Sequence, residues 1–339
     1  MSKHAESLLM ALSAESFWYG HNKLSYLLWP LEVLFKRLAS RRRQRLQSNA
    51  WLAPVPVVVV GNISIGGTGK TPLITALVTW AKQQGYRPGV VSRGYGGQSV
   101  VYPLTVEVDT DPAIAGDEPA LLRKLCGCPV VIAPDRVAAV QWLLENNDCD
   151  LIFSDDGLQH YRLGRHIEIA VVDGHRGLGN GHCLPVGPLR EPPERLAEVD
   201  FCVVNGYAAS TPVTTSFTMH ICARQMVHVH TGQASDVQAW CGREVIAMAG
   251  IGNPARFFST LESLGIKITR SISKPDHYRF QQEDIPSEGI PVVVTGKDAV
   301  KCGGFAADNL WYLDITAVLS DSFFSALAEK LRSLNPKRR

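Results

Sequence analysis

The sequence lacks the features that would assign it to several common protein classes. Its eight cysteines form no Cys-x-x-Cys and none of the paired short spacings of a structural zinc site, which predicts scattered free thiols in the core. No apolar stretch reaches the roughly 18 residues of a membrane-spanning helix, and no cleavable signal peptide is visible. These absences predict a globular protein that stays on the cytoplasmic side of the membrane.

The chain also has little net charge. Its 34 Lys and Arg residues nearly balance its 32 Asp and Glu residues, for a total of +2. This argues against a protein that mainly coats nucleic acid, because that role needs a large basic excess. The charge is uneven, however, since residues 1–49 carry eight basic and three acidic side chains and the remainder carries 26 and 29. One end is therefore basic and the rest slightly acidic.

Length and hydrophobic pattern predict two α/β domains. At about 150 residues per domain, 339 residues correspond to two. Short apolar runs alternate with helical or glycine-rich segments, as in a mainly parallel sheet covered on both faces. These runs lie at 55–60, 88–92, 130–133, 151–153, 167–172, 201–205, 244–249, 266–269 and 292–295. The predicted segments are 1–49, basic and amphipathic; 50–211, a phosphate-loop domain; 212–232, an extended connector; 233–320, a smaller α/β domain; and 321–339, a final helix with a basic tail.

A glycine-rich segment at residues 64–71 follows the first apolar run and precedes a helical stretch. It matches the phosphate-loop pattern, except that Ser64 replaces the usual first glycine. In such a loop backbone NH groups surround an anion, Lys70 reaches the β- and γ-phosphates, and the Thr71 hydroxyl ligates Mg2+. A chance glycine-rich turn is the alternative, which the flanking strand and helix disfavour. The predicted nucleotide-binding residues are Ser64, Ile65, Gly66, Gly67, Thr68, Gly69, Lys70 and Thr71.

Two adjacent carboxylates, Asp155 and Asp156, end the apolar run at 151–153. Beside a phosphate loop, the first carboxylate can hold Mg2+ directly or through water. The alternative is an Asp-Gly turn at a strand end. Residues 295–299 lack the spacing of the Asn-Lys-x-Asp motif that reads guanine, so guanine recognition is disfavoured.

Three other segments have both a structural and a functional interpretation. Asp117 and Glu118 head a helical stretch, where they stabilise the first turn or, for Asp117, accept a proton from an attacking hydroxyl. His277 lies in a loop-like segment rich in titratable groups and is either structural or catalytic. Arg190, between two prolines, either clamps a phosphate or pairs with a nearby glutamate.

Apolar residues recur at helical spacing near the basic end. Pro30 interrupts them, either kinking the helix or opening it as a first-turn residue. Six basic residues follow between Lys36 and Arg45. The stripe suits either a helix packed in a core or an interfacial helix on anionic lipid. Its members are Leu24, Leu27, Leu28, Leu31, Leu34, Phe35 and Leu38.

Seven motifs, in order along the chain, together resemble those of the tetraacyldisaccharide 4'-kinases, the lipid A 4'-kinases of Gram-negative bacteria. They are Gly-Asn-Ile at 61–63 running through the phosphate loop to Pro72, Ser-Arg-Gly-Tyr-Gly-Gly at 92–97, Gly-Asp-Glu-Pro-Ala-Leu-Leu at 116–122, Asp-Asp-Gly-Leu-Gln-His at 155–160, Leu-Pro-Val-Gly-Pro-Leu-Arg-Glu-Pro at 184–192, Ala-Gly-Ile-Gly-Asn-Pro at 249–254 and Asp-His-Tyr-Arg-Phe at 276–280. The family carries Ser or Thr where Ser64 stands. The sequence departs from the family at Gly296, where a Glu usually precedes the lysine.

The resemblance implies a fold and an activity. The fold is a phosphate-loop α/β/α sandwich and a smaller α/β/α unit, joined by a two-stranded β connector. The activity is transfer of the ATP γ-phosphate to the 4'-hydroxyl of a tetraacylated glucosamine disaccharide 1-phosphate. The enzyme is expected to lie peripherally on the cytoplasmic face of the inner membrane through its N-terminal helix, with no nucleic acid and no obligate protein partner. A phosphate-loop ATPase that acts as a nucleotide-dependent switch at the membrane surface is the alternative.

The resemblance also implies roles for individual residues. The family's catalytic carboxylate maps onto Asp117 and its partner histidine onto His277, which join Lys70 as the predicted catalytic residues. Since Asp117 and His277 fall in different predicted domains, we expect the site to form only when the domains close. The predicted metal ligands are Thr71, Asp155, Asp156 and Glu191, and the predicted substrate contacts are Glu118, Asp156, His160 and Arg190.

Overall fold

A computed structural model describes residues 17–19, 23–207, 216–305 and 307–334 of the chain. The residues group into two compact units, each built from separate stretches of sequence. The first unit consists of Met1–Lys70, Asp156–His220 and Leu319–Arg339, and the second of Thr71–Asp155 and Ile221–Val318. The chain therefore passes repeatedly from one unit to the other.

Helices and strands alternate along most of the described chain. The strands are β1 (Val57–Gly61), β2 (Pro88–Ser92), β3 (Leu104–Thr105), β4 (Val130–Ile132), β5 (Leu151–Asp155), β6 (Ile167–Asp173), β7 (Phe201–Asn205), β8 (Ser216–His228), β9 (Ala234–Asp236), β10 (Glu244–Ala249), β11 (Lys267–Ser273), β12 (Val292–Thr295) and β13 (Leu310–Leu319). The α-helices are α1 (Trp29–Gln47), α2 (Lys70–Gln83), α3 (Pro112–Ala115), α4 (Asp117–Cys126), α5 (Arg136–Asn146), α6 (Pro254–Ser263), α7 (Gly296–Ala299) and α8 (Asp321–Leu334). Short 3-10 helices occupy Lys23–Leu28, Pro193–Ala197, Val237–Trp240, Gln282–Asp284 and Val300–Cys302.

The first unit contains a parallel sheet. Strand β6 pairs with β1 on one side and β7 on the other, and β7 pairs with the first residues of β8. All five residues of β1 are buried, as are all five of β7. A strand buried on both faces has no polar side to present to water, which explains the unbroken run of valines in β1.

The second unit contains two sets of mainly parallel strands. In one set β2 lies between β4 and β5, with the short β3 antiparallel on β4. In the other, β10 lies between β11 and β12, and β12 pairs with β13. Along β12 Val292 and Val294 pack into one core cluster and Val293 into another, so apolar side chains cover both faces. The later part of β8 pairs antiparallel with β9.

The α/β class and the mainly parallel strands predicted from the sequence are confirmed. The predicted strand at 266–269 extends to Ser273, and Pro30 lies in the first turn of α1 rather than at a kink. All eight cysteines are free and six are buried, as expected for core thiols. Among the described residues, no helix combines the length and the apolar character needed to cross a membrane.

Helix α1 and the 3-10 turn before it expose their leucines. Leu27 is 78% exposed and Leu34 53%, so this stripe is not buried in the core of the chain. The exposed large apolar residues of this region are Leu24, Tyr26, Leu27, Leu28, Trp29, Leu31, Leu34 and Leu38. The buried residue of α1 is instead charged. Glu32 is 1% exposed, and its carboxylate accepts hydrogen bonds from the Cys183 amide (2.9 Å), the His182 ring (2.8 Å) and Lys36 (2.6 Å).

Candidate functional site

The phosphate loop connects β1 to α2, and two asparagines hold its backbone. Asn62 donates from its amide to the Gly66 carbonyl oxygen at 3.2 Å, and Asn205 donates to the Thr68 carbonyl oxygen at 3.0 Å. Gly66 and Gly69 have φ values of 105° and 97°, where a side chain is disfavoured. Neither asparagine was among the predicted site residues, although Asn62 lies two residues before Ser64.

Lys70, the loop lysine, lies between an amide and a carboxylate of the first unit. Its Nζ is 3.4 Å from Asn62 Oδ1 and 3.4 Å from Asp156 Oδ1. Arg190 Nη1 contacts the other carboxylate oxygen of Asp156 at 3.1 Å. Burial would raise the pKa of Asp156, but Lys70 and Arg190 lower it to about 2. The carboxylate is therefore ionised at neutral pH and orients the two cations that would face a bound phosphate.

A compact loop that ends at Arg190 packs along the phosphate loop. The Ile65 amide donates to the Pro188 carbonyl oxygen at 2.9 Å, and the Arg190 amide donates to the Ile63 carbonyl oxygen at 2.6 Å. These backbone hydrogen bonds fix the position of Arg190. Its guanidinium contacts the Asp156 carboxylate.

Glu191, predicted as a metal ligand, is engaged in a buried hydrogen-bond cluster of the first unit. Gln159 donates to its Oε1 at 2.6 Å, the Tyr161 hydroxyl donates to its Oε2, and Arg195 Nε lies 3.4 Å from the same oxygen. Burial and the adjacent carboxylate raise the pKa of Tyr161 well above its usual range. Both oxygens of Glu191 thus already have partners. His160, next to Gln159, is half-buried, and its carbonyl oxygen accepts a hydrogen bond from Arg165 at 2.6 Å.

Asp155, the neighbour of Asp156 in sequence, belongs to the second unit. It is 1% exposed, and its Oδ2 accepts a hydrogen bond from the Ser92 hydroxyl at 2.9 Å. Thr71, also in the second unit, follows Lys70 at the start of α2. Hydroxyl and carboxylate oxygens are the donors that Mg2+ prefers, so this donor set fits that ion. Across the part of the chain that the structure describes, no group of three or more His, Cys, Asp and Glu side chains is arranged to hold a metal.

Asp117 and His277, 160 residues apart, meet in the second unit. His277 Nδ1 lies 3.1 Å from Asp117 Oδ2. Asp117 opens α4 and is 8% exposed, while His277 follows β11 in a loop. The Tyr95 ring contacts the imidazole edge to face, with centroids 5.3 Å apart. The backbone of His277 has φ 59°, a conformation that costs a non-glycine residue free energy and is found at functional sites. Both residues belong to one compact unit, although they were predicted on separate domains.

Two lysines adjoin this pair. Lys301 Nζ is 3.7 Å from Asp117 Oδ2 and 2.6 Å from Asp298 Oδ1. Lys297 Nζ lies 3.5 Å from His277 Nε2 and 3.6 Å from Glu118 Oε1, the latter a predicted substrate contact. None of residues 295–298 was among the predicted site residues.

Comparison with known proteins gives concordant results over nearly the whole chain. The family model of tetraacyldisaccharide-1-P 4'-kinase matches residues 24–332. The tetraacyldisaccharide 4'-kinase of Azotobacter vinelandii is 48% identical over 326 residues, covering 93% of this chain and 97% of that protein. The one from Actinobacillus succinogenes is 45% identical over 324 residues, covering 94% and 98%. The crystal structure of LpxK from Aquifex aeolicus in complex with ATP is similar with a TM-score of 0.78 and 29% identity, covering 91% and 99%.

Proposed function

Because the chain belongs to the tetraacyldisaccharide-1-P 4'-kinase family, we propose how its side chains carry out that reaction. The reaction is ATP-dependent phosphorylation of the 4'-hydroxyl of a tetraacyldisaccharide 1-phosphate in lipid A biosynthesis. A nucleotide-dependent switch is not favoured, since curated relatives of nearly equal length are kinases. The main support for the proposal is the contact between Asp117 and His277. A carboxylate paired with a histidine can act as the base for a sugar hydroxyl, whereas a nucleotide-dependent switch does not need such a base.

The phosphate loop and its neighbours bind ATP in this proposal. The amides of residues 64–71 surround the phosphates, and Lys70 contacts the β- and γ-phosphates. Arg190 adds a second cation, which Asp156 orients. These groups stabilise the negative charge that spreads over the transferring phosphoryl group.

Magnesium fits the oxygen donors of the second unit. The Thr71 hydroxyl and the Asp155 carboxylate would hold the ion, which when bound neutralises charge on the phosphate oxygens. We do not assign Glu191 to the metal, because both of its oxygens already accept hydrogen bonds. Its proposed role is to hold Gln159, whose amide also donates to the Asn62 carbonyl oxygen.

Asp117 is the proposed general base. A sugar hydroxyl is a poor nucleophile, and a carboxylate that takes its proton as the bond to phosphorus forms accelerates the attack. His277 orients that carboxylate through Oδ2. We propose that Glu118 and His160 contact the acceptor sugar, together with Asp156 and Arg190.

We further propose that the N-terminal segment, residues 1–49, places the enzyme on the inner-membrane surface. An acceptor with four acyl chains resides in a bilayer. The exposed leucines of the α1 region and its six basic residues have the chemistry of an interfacial helix on anionic lipid. Co-sedimentation with anionic and neutral vesicles tests this, and equal binding to both at rising salt would contradict the charge contribution.

One transfer assay tests the catalytic assignments. Labelled ATP is incubated with detergent-dispersed tetraacyldisaccharide 1-phosphate and wild-type, Lys70→Ala, Asp117→Asn or His277→Gln protein. We expect lipid product from the wild type, loss of about 10² or more in kcat for Asp117→Asn, and a smaller loss for His277→Gln. Lys267→Met, at an exposed position of β11, is the control. Absence of product from the wild type would refute the kinase function, and full activity of Asp117→Asn would refute the base.

A further inference from the structure

Lys297 faces the nitrogen of His277 that is turned away from Asp117. Its Nζ lies 3.5 Å from His277 Nε2 and 3.2 Å from Asp276 Oδ1. It sits in the first turn of α7, whose start is capped by the Thr295 hydroxyl accepting from the Asp298 amide at 3.1 Å. The lysine is 17% exposed, so its direction is set by these neighbours rather than by solvent.

Lys297 is charged at neutral pH. Burial alone would lower the pKa of Lys297, but Glu118, Asp276 and Asp117 raise it above its ordinary value. An ammonium group has three N–H donors and no acceptor. A ring nitrogen that accepts a hydrogen bond from it does so through a lone pair. For His277, whose Nε2 faces the ammonium group at 3.5 Å, this favours the tautomer that keeps the ring proton on Nδ1.

The groups around the imidazole agree with this arrangement. Asp117 from α4 faces Nδ1 at 3.1 Å and can only accept a hydrogen bond when ionised. Lys297 from α7 faces Nε2, with Asp276 Oδ2 further away at 3.8 Å. The Tyr95 ring contacts the imidazole edge to face and offers it no charge. A cation at Nε2 and an anion at Nδ1 both favour the tautomer with its proton on Nδ1 over the one with its proton on Nε2.

We propose that Lys297 is a positioning residue that holds His277 in the Nδ1–H tautomer, so that His277 donates to Asp117 and Asp117 alone receives the proton of the acceptor hydroxyl. Oδ2 of Asp117 is occupied by His277 and by Lys301 at 3.7 Å. Among the described residues no hydrogen bond to Oδ1 is found, and we assign that oxygen to the hydroxyl. This inference rests on the proposed role of Asp117 as the base.

The proton balance of the step follows. The acceptor O–H bond breaks as its oxygen forms a bond to the γ-phosphorus, and the bond between that phosphorus and the β–γ bridging oxygen breaks. The electron pair of that bond leaves with ADP. The proton ends on Asp117 Oδ1, and the imidazole keeps the single proton it had. If His277 instead relayed the proton, its Nε2 would have to carry a proton. The ammonium group of Lys297 faces that nitrogen and disfavours this.

The direct test is nitrogen NMR of the full-length protein in detergent micelles with 15N-labelled histidine. His277→Gln identifies the His277 signals, and long-range proton–nitrogen spectra show which ring nitrogen carries the proton. We expect the proton on Nδ1 in the wild type at neutral pH. A proton on Nε2, or on both nitrogens, overturns the proposal without any further variant.

Variants then separate Lys297 from a purely structural role. Lys297→Arg keeps a donor-only cation and should retain the tautomer and kcat within a few-fold. Lys297→Met should populate the Nε2–H form and lower kcat roughly 10- to 100-fold, which is part of the 10²–10⁴ that a positioned base supplies. KM should change less than kcat. Lys274→Met is the matched control, since this lysine pairs with Asp284 and contacts the Tyr278 hydroxyl.

The outcomes distinguish this inference from the proposed function. If Asp117→Asn loses activity while Lys297→Met keeps the Nδ1–H form, the base stands and the role of Lys297 is wrong. If Asp117→Asn is fully active, the base assignment itself fails, whatever the tautomer. If Lys297→Met does not fold, the tautomer of His277 in the wild type and in Lys297→Arg still tests the proposal.

Discussion

Gly69 is the residue of the phosphate loop that can least accept a side chain. Its φ is +97°, and an added Cβ would lie 2.6 Å from Asn205 Nδ2 and 3.1 Å from Met219 Cε. Gly67, two residues earlier, has nothing within 4 Å of an added Cβ and no positive φ. Two glycines of one motif therefore serve different needs. Gly69 is required by the backbone conformation and by the neighbouring side chains, whereas Gly67 faces open space that a bound ligand could occupy.

We predict that Gly69→Ala lowers the free energy of unfolding by about 2 kcal/mol, because it combines positive-φ strain with a steric clash. Gly67→Ala, the control within the same loop, should change it by less than about 0.5 kcal/mol. Urea denaturation measures both. Equal effects of the two substitutions would show that the contact with Asn205 does not restrict the loop.

Asp156 predicts a dependence of stability on pH. Its pKa is lowered to about 2 from an ordinary 3.8, so it stabilises the folded state above about pH 4, and this stabilisation is lost as the pH falls towards 2. Arg190→Met removes one of the two cations responsible. We expect Arg190→Met to lower the free energy of unfolding by about 1 kcal/mol at pH 6, a value already reduced for partial solvent exposure. This difference from the wild type should become smaller below pH 4. Urea titrations from pH 6 to 3 of the wild type, Arg190→Met and the control Arg37→Met test this. A difference in the free energy of unfolding between the wild type and Arg190→Met that does not change with pH would contradict it.

Helix α1 is attached to the first unit by a buried charge rather than by its leucines. Glu32 accepts hydrogen bonds from the Cys183 amide and the His182 ring, and Arg43 on the same helix pairs with the exposed Glu198. The first contact lies in the segment that continues to Arg190 and pairs with the phosphate loop. Because the apolar face of the helix is exposed, the contacts of Glu32 are what hold the helix on the first unit.

Glu32→Ala should therefore destabilise the protein by about 3 kcal/mol, because it leaves a buried amide and an imidazole without their acceptor. Glu198→Ala, which removes an exposed pair from the same helix, should cost less than about 1 kcal/mol. Urea denaturation gives both values. Limited trypsin digestion adds a local readout, and unchanged cleavage within α1 in Glu32→Ala would contradict the anchoring role.

The strands were predictable from the sequence because parallel strands buried on both faces appear as short apolar runs, as in β1 and β12. The phosphate loop was predictable because its glycines and lysine all lie within residues 66–70. Contacts between residues far apart in the sequence were not predictable. Only the family resemblance joined Asp117 to His277, and nothing in the spacing of Lys297 shows that it faces an imidazole. Glu32 has the position of a polar-face residue in a leucine-rich helix, so its burial depends on tertiary contacts that the sequence does not reveal.

At the scale of the molecule, the C-terminal helix completes a unit that begins at the other end of the chain. Phe323 of α8 is fully buried and packs edge to face against Phe201 and Phe217, at centroid distances of 5.5 and 5.3 Å. All three rings belong to the first unit. Its core is therefore built from residues more than 100 positions apart.

We predict that Phe323→Ala lowers the free energy of unfolding by about 3–5 kcal/mol, since it leaves a cavity among aromatic rings. Leu334→Ala, at the exposed end of the same helix, should change it by about 0.5 kcal/mol or less. Urea denaturation followed by tryptophan fluorescence measures both variants. A small effect of Phe323→Ala would mean that α8 contributes little to the core of the first unit.

The division of the chain also sets the order in which the molecule can be finished on the ribosome. The second unit has all of its residues once Val318 has been synthesised, whereas the first needs the segment Leu319–Arg339. Domains usually fold in the order in which they are made. The first unit therefore begins earlier in the chain than the second but lacks part of its core until α8 has been synthesised, so the exposed leucines of the α1 region emerge long before that core is complete.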